Sequence, residues 1–207
     1  MRSAKAPLIW AALAIAIFVP VALATTSDLL AWRGPVYILA GFSGIIALSL
    51  VLVQPLLIGG YLPGLAAYRG RRVHHWIGGV LVVMVVVHVG GLWMTSPPDM
   101  ADALLFTSPT PFSPFGVVAM WAIFAVALLA AFRWRMGLRT WRIVHMSFAV
   151  IIVAGSVVHA MLVEGTMETM SRAALCALVL AAAIKVMADL WVWRKRPTRG
   201  ESTARWL

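Results

Sequence analysis

Six long apolar runs constrain the fold of this chain more than any other feature. They lie at about 7–24, 36–58, 73–94, 115–132, 143–163 and 173–193. A helix needs about 20 apolar residues to cross the roughly 30 Å hydrocarbon core of a bilayer. The chain is 62% hydrophobic and 12% charged, about half the charge of a soluble domain, and its runs lack the alternation of membrane β-strands. We therefore predict an all-α integral membrane protein, a bundle of six transmembrane helices forming a single domain over residues 1–207.

Basic residues predict the orientation of this bundle. Fourteen of them flank one side of the predicted spans: Arg2, Lys5, Arg69, Arg71, Arg72, Arg133, Arg135, Arg139, Arg142, Arg194, Lys195, Arg196, Arg199 and Arg205. The other side has Arg33 and Arg172, together with most of the acidic residues. Loops rich in Lys and Arg stay in the cytoplasm, so we expect cytoplasmic N and C termini in a bacterial inner membrane. The charge is explained by topology and does not indicate a nucleic-acid partner.

The first span has a second interpretation. Its basic start, apolar run and the small residues Ala22 and Ala24 also fit a cleaved signal peptide. Removal of this span would leave the orientation of the remaining five unchanged.

The five histidines are confined to the third and fifth spans, which run parallel. His74 and His88 are fourteen residues apart, as are His145 and His159. At about 100° and 1.5 Å per residue, fourteen residues return to within about 40° of one face and span about 21 Å. His75 is thirteen residues from His88, which places these two about 140° apart. We therefore expect His74 to face His145 on the cytoplasmic side and His88 to face His159 on the outer side.

This arrangement suits two b-type haems stacked across the bilayer, each ligated by one histidine from each helix. Small residues, Gly78 and Gly155 among them, are expected to let the flat ring approach. A histidine that hydrogen-bonds a neighbouring helix is the ordinary alternative for one such residue. One zinc ion cannot bridge imidazoles about 21 Å apart, because its bonds are near 2 Å.

Two segments carry a resemblance to a known family. "YRGRRVHHWIGGVLVVMVVVH" and "WRIVHMSFAVIIVAGSVVHAML" resemble the haem-bearing helices of the ferric reductase-like transmembrane family. This family includes ferric reductases, the membrane half of NADPH oxidases and the haem subunit of a bacterial methionine sulfoxide reductase system. The matching positions are His74, Trp76, Gly78 and His88 in the first segment and Trp141, Arg142, His145 and His159 in the second.

The resemblance covers about residues 36–163 and implies that electrons cross from the cytoplasm through haem b, with two haems expected. Larger members continue into a flavin- and nicotinamide-binding domain, whereas this chain ends about fourteen residues after the sixth span. We therefore expect a separate cytoplasmic donor protein or quinol, with any flavin or quinone supplied by or shared with a partner. The expected outer acceptor is a protein, ferric iron or oxygen, and we do not expect the chain to use NAD(P)H by itself.

Several further polar residues are candidates for supporting roles. Arg72 and Arg142 precede the cytoplasmic histidines, where guanidinium groups could pair with haem propionates. His75 is interpreted as an interfacial structural residue, with a contact to a haem ligand or propionate, or a replacement ligand, as the alternatives. Lys185 and Asp189, one helical turn apart in the sixth span, are either a self-neutralising pair or part of a proton, quinone or partner site.

Two other functions fit the same residues. One is a quinol-linked di-haem cytochrome b subunit of a dehydrogenase or reductase. The other, from a different class, is a metal or proton transporter or sensor that depends on its histidines.

Overall fold

A computed structural model describes the backbone of residues 5–195 and the side chains of residues 5–190. Arg2, Arg196, Arg199 and Arg205 therefore lie outside the described residues. The helices are α1 (Lys5–Ala24), α2 (Pro35–Ile58), α3 (Ala67–Thr95), α4 (Pro97–Leu104), α5 (Ser113–Ala131), α6 (Leu138–Leu162) and α7 (Thr169–Lys195). All of these except α4 are long and apolar enough to cross a membrane. The prediction of an all-helical protein with six candidate spans is confirmed.

Proline and glycine mark several helix boundaries. Pro35 occupies the first turn of α2 after Gly34, and Pro97 occupies the first turn of α4; proline suits this position because the first-turn N–H has no partner within the helix. The third helix begins at Ala67, six residues before the predicted apolar span. Hydropathy detects only the part of a helix that matches the hydrocarbon layer, whereas α3 continues through its arginines.

The helices form two antiparallel pairs, α2 with α3 and α5 with α6. Helix α7 packs against both pairs, through α2 and α6, and α1 lies against α2 and α7. Helix α2 is the most enclosed of the six, with half of its most apolar window buried. Helices α3 and α6 are not among the closely packed pairs of the described chain. These two helices are thus more widely separated than the helices within each pair, and we call the space between them the gap.

Glycines allow close crossing within each pair. A Cβ atom on Gly91 of α3 would lie 2.8 Å from Ala40 Cβ, and one on Gly155 of α6 would lie 2.9 Å from Phe115 O. Small residues commonly bring membrane helices together in this way. A Cβ on Gly78 would meet the Gln54 side chain of α2 at 3.3 Å. The prediction that Gly78 and Gly155 make room for a ring between α3 and α6 is wrong, because both face their own antiparallel partner.

Candidate functional site: two histidine pairs between α3 and α6

Four of the five histidines meet in two pairs across the gap between α3 and α6. The ring centroids of His74 and His145 are 6.1 Å apart, with an interplanar angle of 71°. Those of His88 and His159 are 6.5 Å apart, at 81°. We call His74–His145 the first pair and His88–His159 the second pair. Because equivalent residues meet at both levels, α3 and α6 run parallel, and fourteen residues separate the two levels along each helix.

Both histidines of the second pair are held by backbone carbonyls. His88 Nδ1 lies 2.8 Å from Ala40 O on α2, and His159 Nδ1 lies 3.0 Å from Phe112 O, next to α5. A carbonyl oxygen can only accept a hydrogen bond, so each Nδ1 carries the proton and donates it. Each Nε2 is consequently left with a free lone pair.

A glycine supports each of these two rings. Gly44 lies four residues after Ala40, and Gly116 lies four residues after Phe112. A Cβ atom at Gly44 would lie 2.9 Å from His88 Nδ1, and one at Gly116 would lie 2.5 Å from His159 Nδ1. Real Cβ atoms essentially never come within 3.0 Å of a heavy atom to which they are not linked through the neighbouring chain. The two antiparallel pairs thus use the same device, in which a ring rests on a glycine and donates to the carbonyl of the preceding turn.

The first pair is held differently. With its amide nitrogen facing the ring, Gln54 of α2 donates to His74 Nδ1, and its oxygen accepts from Gly78 N–H at 2.9 Å. A glutamine amide can present either end to an imidazole, so the end it presents follows the position of the proton on the ring. Gln54 is therefore a contact that accommodates either tautomer of His74.

His145 lacks an equivalent contact. Its ring stacks on that of Trp141, one turn earlier on α6, with centroids 5.0 Å apart and an interplanar angle of 30°. Its Nδ1 is buried and has no hydrogen-bond partner within the described chain. Stacking orients the ring without satisfying this nitrogen.

The structure does not bring the other predicted residues into these pairs. The side chain of His75 is exposed on α3, as are those of Arg72 and Arg142 at the starts of their helices. Both arginines lie near the level of the first pair, two and three residues before its histidines.

Lys185 and Asp189 form a separate cluster on α7. Lys185 Nζ is 2.6 Å from Asp189 Oδ2 and donates to the hydroxyl of Tyr61 at 3.1 Å. That hydroxyl in turn donates to Asp189. The cluster therefore ties the connection between α2 and α3 to α7, and the side chains of Lys185 and Asp189 are 59% and 42% exposed.

Sequence reasoning missed the residues that hold the histidine rings. Ala40 and Phe112 act through backbone carbonyls, which have no side-chain signature. Gln54 did have a signal, because it is the single glutamine of a chain that contains no asparagine, placed inside an apolar helix. Buried amides in membrane helices usually have a specific partner.

The fold and the site define a class: a multi-pass helical membrane protein with two stacked pairs of imidazoles inside its bundle. The family model described as "Ferric reductase like transmembrane component" matches residues 40–156. This match includes most of α2 and α6 and all of α3, and it spans more than half of the chain. The chain belongs to this family. Membership implies membrane electron transfer, and the family typically binds haem b. No curated protein and no solved structure matches the chain.

Proposed function

We propose that this protein is a di-haem cytochrome b that carries electrons across a membrane, with His74, His88, His145 and His159 as the residues that would hold the two haem irons. The observation that supports this most strongly is the repetition of one histidine pair at two levels of the same gap. Each pair takes one imidazole from α3 and one from α6. Two ligand pairs at different depths provide two redox centres for an electron that moves along the membrane normal.

The separations within the pairs fit ligation of one metal ion from opposite sides. A metal–imidazole bond is about 2.0–2.1 Å long, and the ring centre lies about 1 Å behind its nitrogen. Two imidazoles on opposite sides of one ion therefore have centroids about 6 Å apart. The observed values are 6.1 Å and 6.5 Å.

The tautomers of the second pair fit the same role. Metal-binding histidines usually donate their other ring N–H to a carbonyl or carboxylate, which fixes the ring and raises its basicity. His88 and His159 each do so through Nδ1. Haem b, when bound, supplies the one-electron chemistry, while the chain fixes the spacing and orientation of the imidazoles.

We propose that the arginine-rich end of the bundle is cytoplasmic and receives the electrons. Arg69, Arg71, Arg72 and Arg142 are exposed at the starts of the two histidine-bearing helices. This distribution follows the positive-inside rule. Arg72 and Arg142 remain our candidates for contacts with the haem propionates. The donor is a cytoplasmic reductase, reduced flavin or quinol, and the acceptor is a protein, ferric iron or oxygen on the outer side.

Purification from cells supplied with haem tests this function. We expect a red protein whose reduced-minus-oxidised spectrum is that of a b-type cytochrome with two haems per chain. His74→Ala and His145→Ala should each remove the haem of the first pair, and His88→Ala and His159→Ala that of the second. His75→Ala is the matched control, since its ring is exposed on the same helix, and should keep both haems. A colourless wild-type protein would overturn the proposal and favour a proton or metal transporter.

A quinol-linked cytochrome is the second candidate, because the same histidine pairs would serve it equally well. The two are separated by the donor. Reduction of the purified protein by a soluble quinol, blocked by a quinone-site inhibitor, would favour the quinol-linked function. Reduction only by a flavin-bearing reductase would favour the first.

A further inference from the structure

The two antiparallel helix pairs share one register around the second histidine pair. On one side, His88 of α3 lies beside Ala40 and Gly44 of α2. On the other, His159 of α6 reaches Phe112 and Gly116 of α5 in the same way. All α-helices rise by the same distance per residue. In an antiparallel pair, moving fourteen residues backward along one helix and fourteen residues forward along the other therefore leads to residues that again lie at one level.

Beside the first histidine pair, the same fourteen-residue shift leads to one kind of residue on α2 and to another kind on α5. Fourteen residues after Ala40 comes Gln54 of α2, and the structure places its amide against His74. Fourteen residues after Phe112 comes Val126 of α5, level with His145. Valine has no group that can bond to an imidazole. His145 Nδ1 has no hydrogen-bond partner among the described residues, as expected beside an aliphatic side chain.

Position 126 also lies on the side of α5 that faces α6. Gly116 and Ala119 of α5 contact His159 and the Gly155 position of α6. Val126 lies seven residues after Ala119, a spacing that returns to within about 20° of the same helix face. A longer polar side chain at this position would therefore point toward α6.

We propose that Gln54 is a positioning residue that lowers the reduction potential of the haem bound by the first pair, and that Val126 leaves the His145 side of that pair without an equivalent. This inference rests on the proposed haem ligation. Ligation through Nε2 places the proton on Nδ1. The Gln54 amide then turns end for end relative to the orientation described above, so that its carbonyl accepts from Nδ1–H and its hydrogen bond from Gly78 N–H is given up.

The direction of the effect follows from the chemistry of imidazole. An acceptor at Nδ1–H makes the ring a more basic ligand, which favours the more highly charged, oxidised iron. Removal of the acceptor should raise the potential of the first-pair haem, and addition of one beside His145 should lower it. The second pair, held by backbone carbonyls of other turns, should not respond.

A potentiometric titration of the purified, haem-loaded protein tests this. Gln54→Leu should shift the first-pair midpoint upward and Val126→Gln should shift it downward, with the second-pair midpoint unchanged in both. Val126→Leu is the matched control for size and should leave both midpoints at the wild-type values. The two midpoints are assigned to the two histidine pairs with the variants His74→Ala and His88→Ala, each of which should retain only one midpoint.

Two results would overturn the inference while leaving the proposed function intact. One is a first-pair midpoint that stays at the wild-type value in both Gln54→Leu and Val126→Gln. The other is an equal shift of both midpoints, which indicates a general change of the bundle. If Gln54→Leu does not fold, Gln54→Met, which keeps the length of the side chain, takes its place, and comparison of Val126→Gln with Val126→Leu tests the His145 side. A wild-type protein without haem would instead overturn the proposed function itself.

Discussion

Gly44 of α2 lies directly against the imidazole of His88 on α3, so that a Cβ atom at position 44 would lie 2.9 Å from Nδ1 and 3.0 Å from Cε1. A methyl group cannot be added there unless the ring moves. Since the ring is also held at Ala40 O, movement would break the hydrogen bond that fixes its tautomer.

We therefore expect Gly44→Ala to reduce haem binding at the second pair and to leave the first pair unaffected. Gly116→Ala should do the same more strongly, because its Cβ would lie 2.5 Å from His159 Nδ1. Haem content and low-temperature spectra of the purified variants measure the effect.

Gly41→Ala is the control for this prediction. Its Cβ would lie 3.8 Å from Thr166 Oγ1, an ordinary contact, on the same helix. Alanine stabilises a helix interior by about 0.5–1 kcal/mol relative to glycine. This gain in stability applies equally to Gly41→Ala and Gly44→Ala. Wild-type haem content in Gly44→Ala would contradict the proposed role of the glycine.

The exposed arginines at the starts of α3 and α6 should steer acidic electron donors. We expect reduction of the haems by a chemically reduced acidic flavodoxin to be fast at low salt and to slow as ionic strength rises. The Debye length is about 8 Å at 0.15 M salt, and steering of this kind depends strongly on salt. Stopped-flow reduction traces across a salt series measure it.

Charge variants provide the comparison. Arg69→Gln with Arg71→Gln should slow the reaction at low salt and flatten its salt dependence, whereas Arg33→Gln, from the connection between α1 and α2, should not. An uncharged quinol used as the reductant should show little salt dependence. Equal salt dependence for both reductants would rule out steering by this surface.

Glu168 should make the start of α7 sensitive to acid. Its carboxylate accepts hydrogen bonds from the backbone N–H groups of Met170 and Ser171, each at 2.7 Å. These hydrogen bonds hold the pKa of the Glu168 carboxyl below its usual value, and the one from Met170 contributes the most. A lowered folded-state pKa means that the stabilisation is present above the unfolded-state pKa and is lost as pH falls through the folded-state pKa.

Thermal unfolding in detergent can measure this contribution. Glu168→Ala should unfold at a lower temperature than the wild type at neutral pH, and the difference should shrink in acid, where the wild-type carboxyl is protonated. Glu164→Ala is the control from the same connection, since it should not change the unfolding temperature in this way. A difference that is independent of pH would show that the charge of Glu168 does not contribute.

The cluster of Tyr61, Lys185 and Asp189 should stabilise the bundle without affecting the haems. We expect Asp189→Asn to lower the unfolding temperature, because it weakens the contacts with both Lys185 and the Tyr61 hydroxyl. Tyr61→Phe should have a smaller effect. The effects of Asp189→Asn and Lys185→Met should be less than additive when combined, as in any directly coupled pair.

The alternative role for this cluster is in proton or quinone chemistry. This alternative is tested by measuring the rate at which a soluble quinol reduces the haem in the Asp189→Asn variant. A wild-type rate with a lowered unfolding temperature fits a structural role. A strongly slowed rate at wild-type stability would show that the cluster takes part in the reaction.

The spans and the histidine pairs could be predicted because both depend on periodicity along single helices. A fourteen-residue spacing places His74 and His88 on one face in any regular helix, whatever surrounds it. Choosing His74 over its neighbour His75 needed no tertiary information, and the structure brings His74, rather than His75, to His145.

The contacts between helices could not be predicted in this way. Gly44 supports His88 only because α2 and α3 meet in one particular register, and a single sequence contains no direct measure of that register. The same limit explains the wrong prediction for Gly155. Its position one turn before His159 is clear from the sequence, but the fact that it faces α5 is a property of the packed pair.

The equal spacing of the histidines on α3 and α6 also limits how such a chain can change over evolutionary time. Exchanging one aliphatic residue for another between His74 and His88 alters little, whereas deleting one residue would rotate the two histidines about 100° out of alignment. Length changes would be tolerated only in whole turns, and only when α6 changes by the same amount. Evolution must therefore preserve the number of residues between the two histidines of each helix, rather than the identity of those residues.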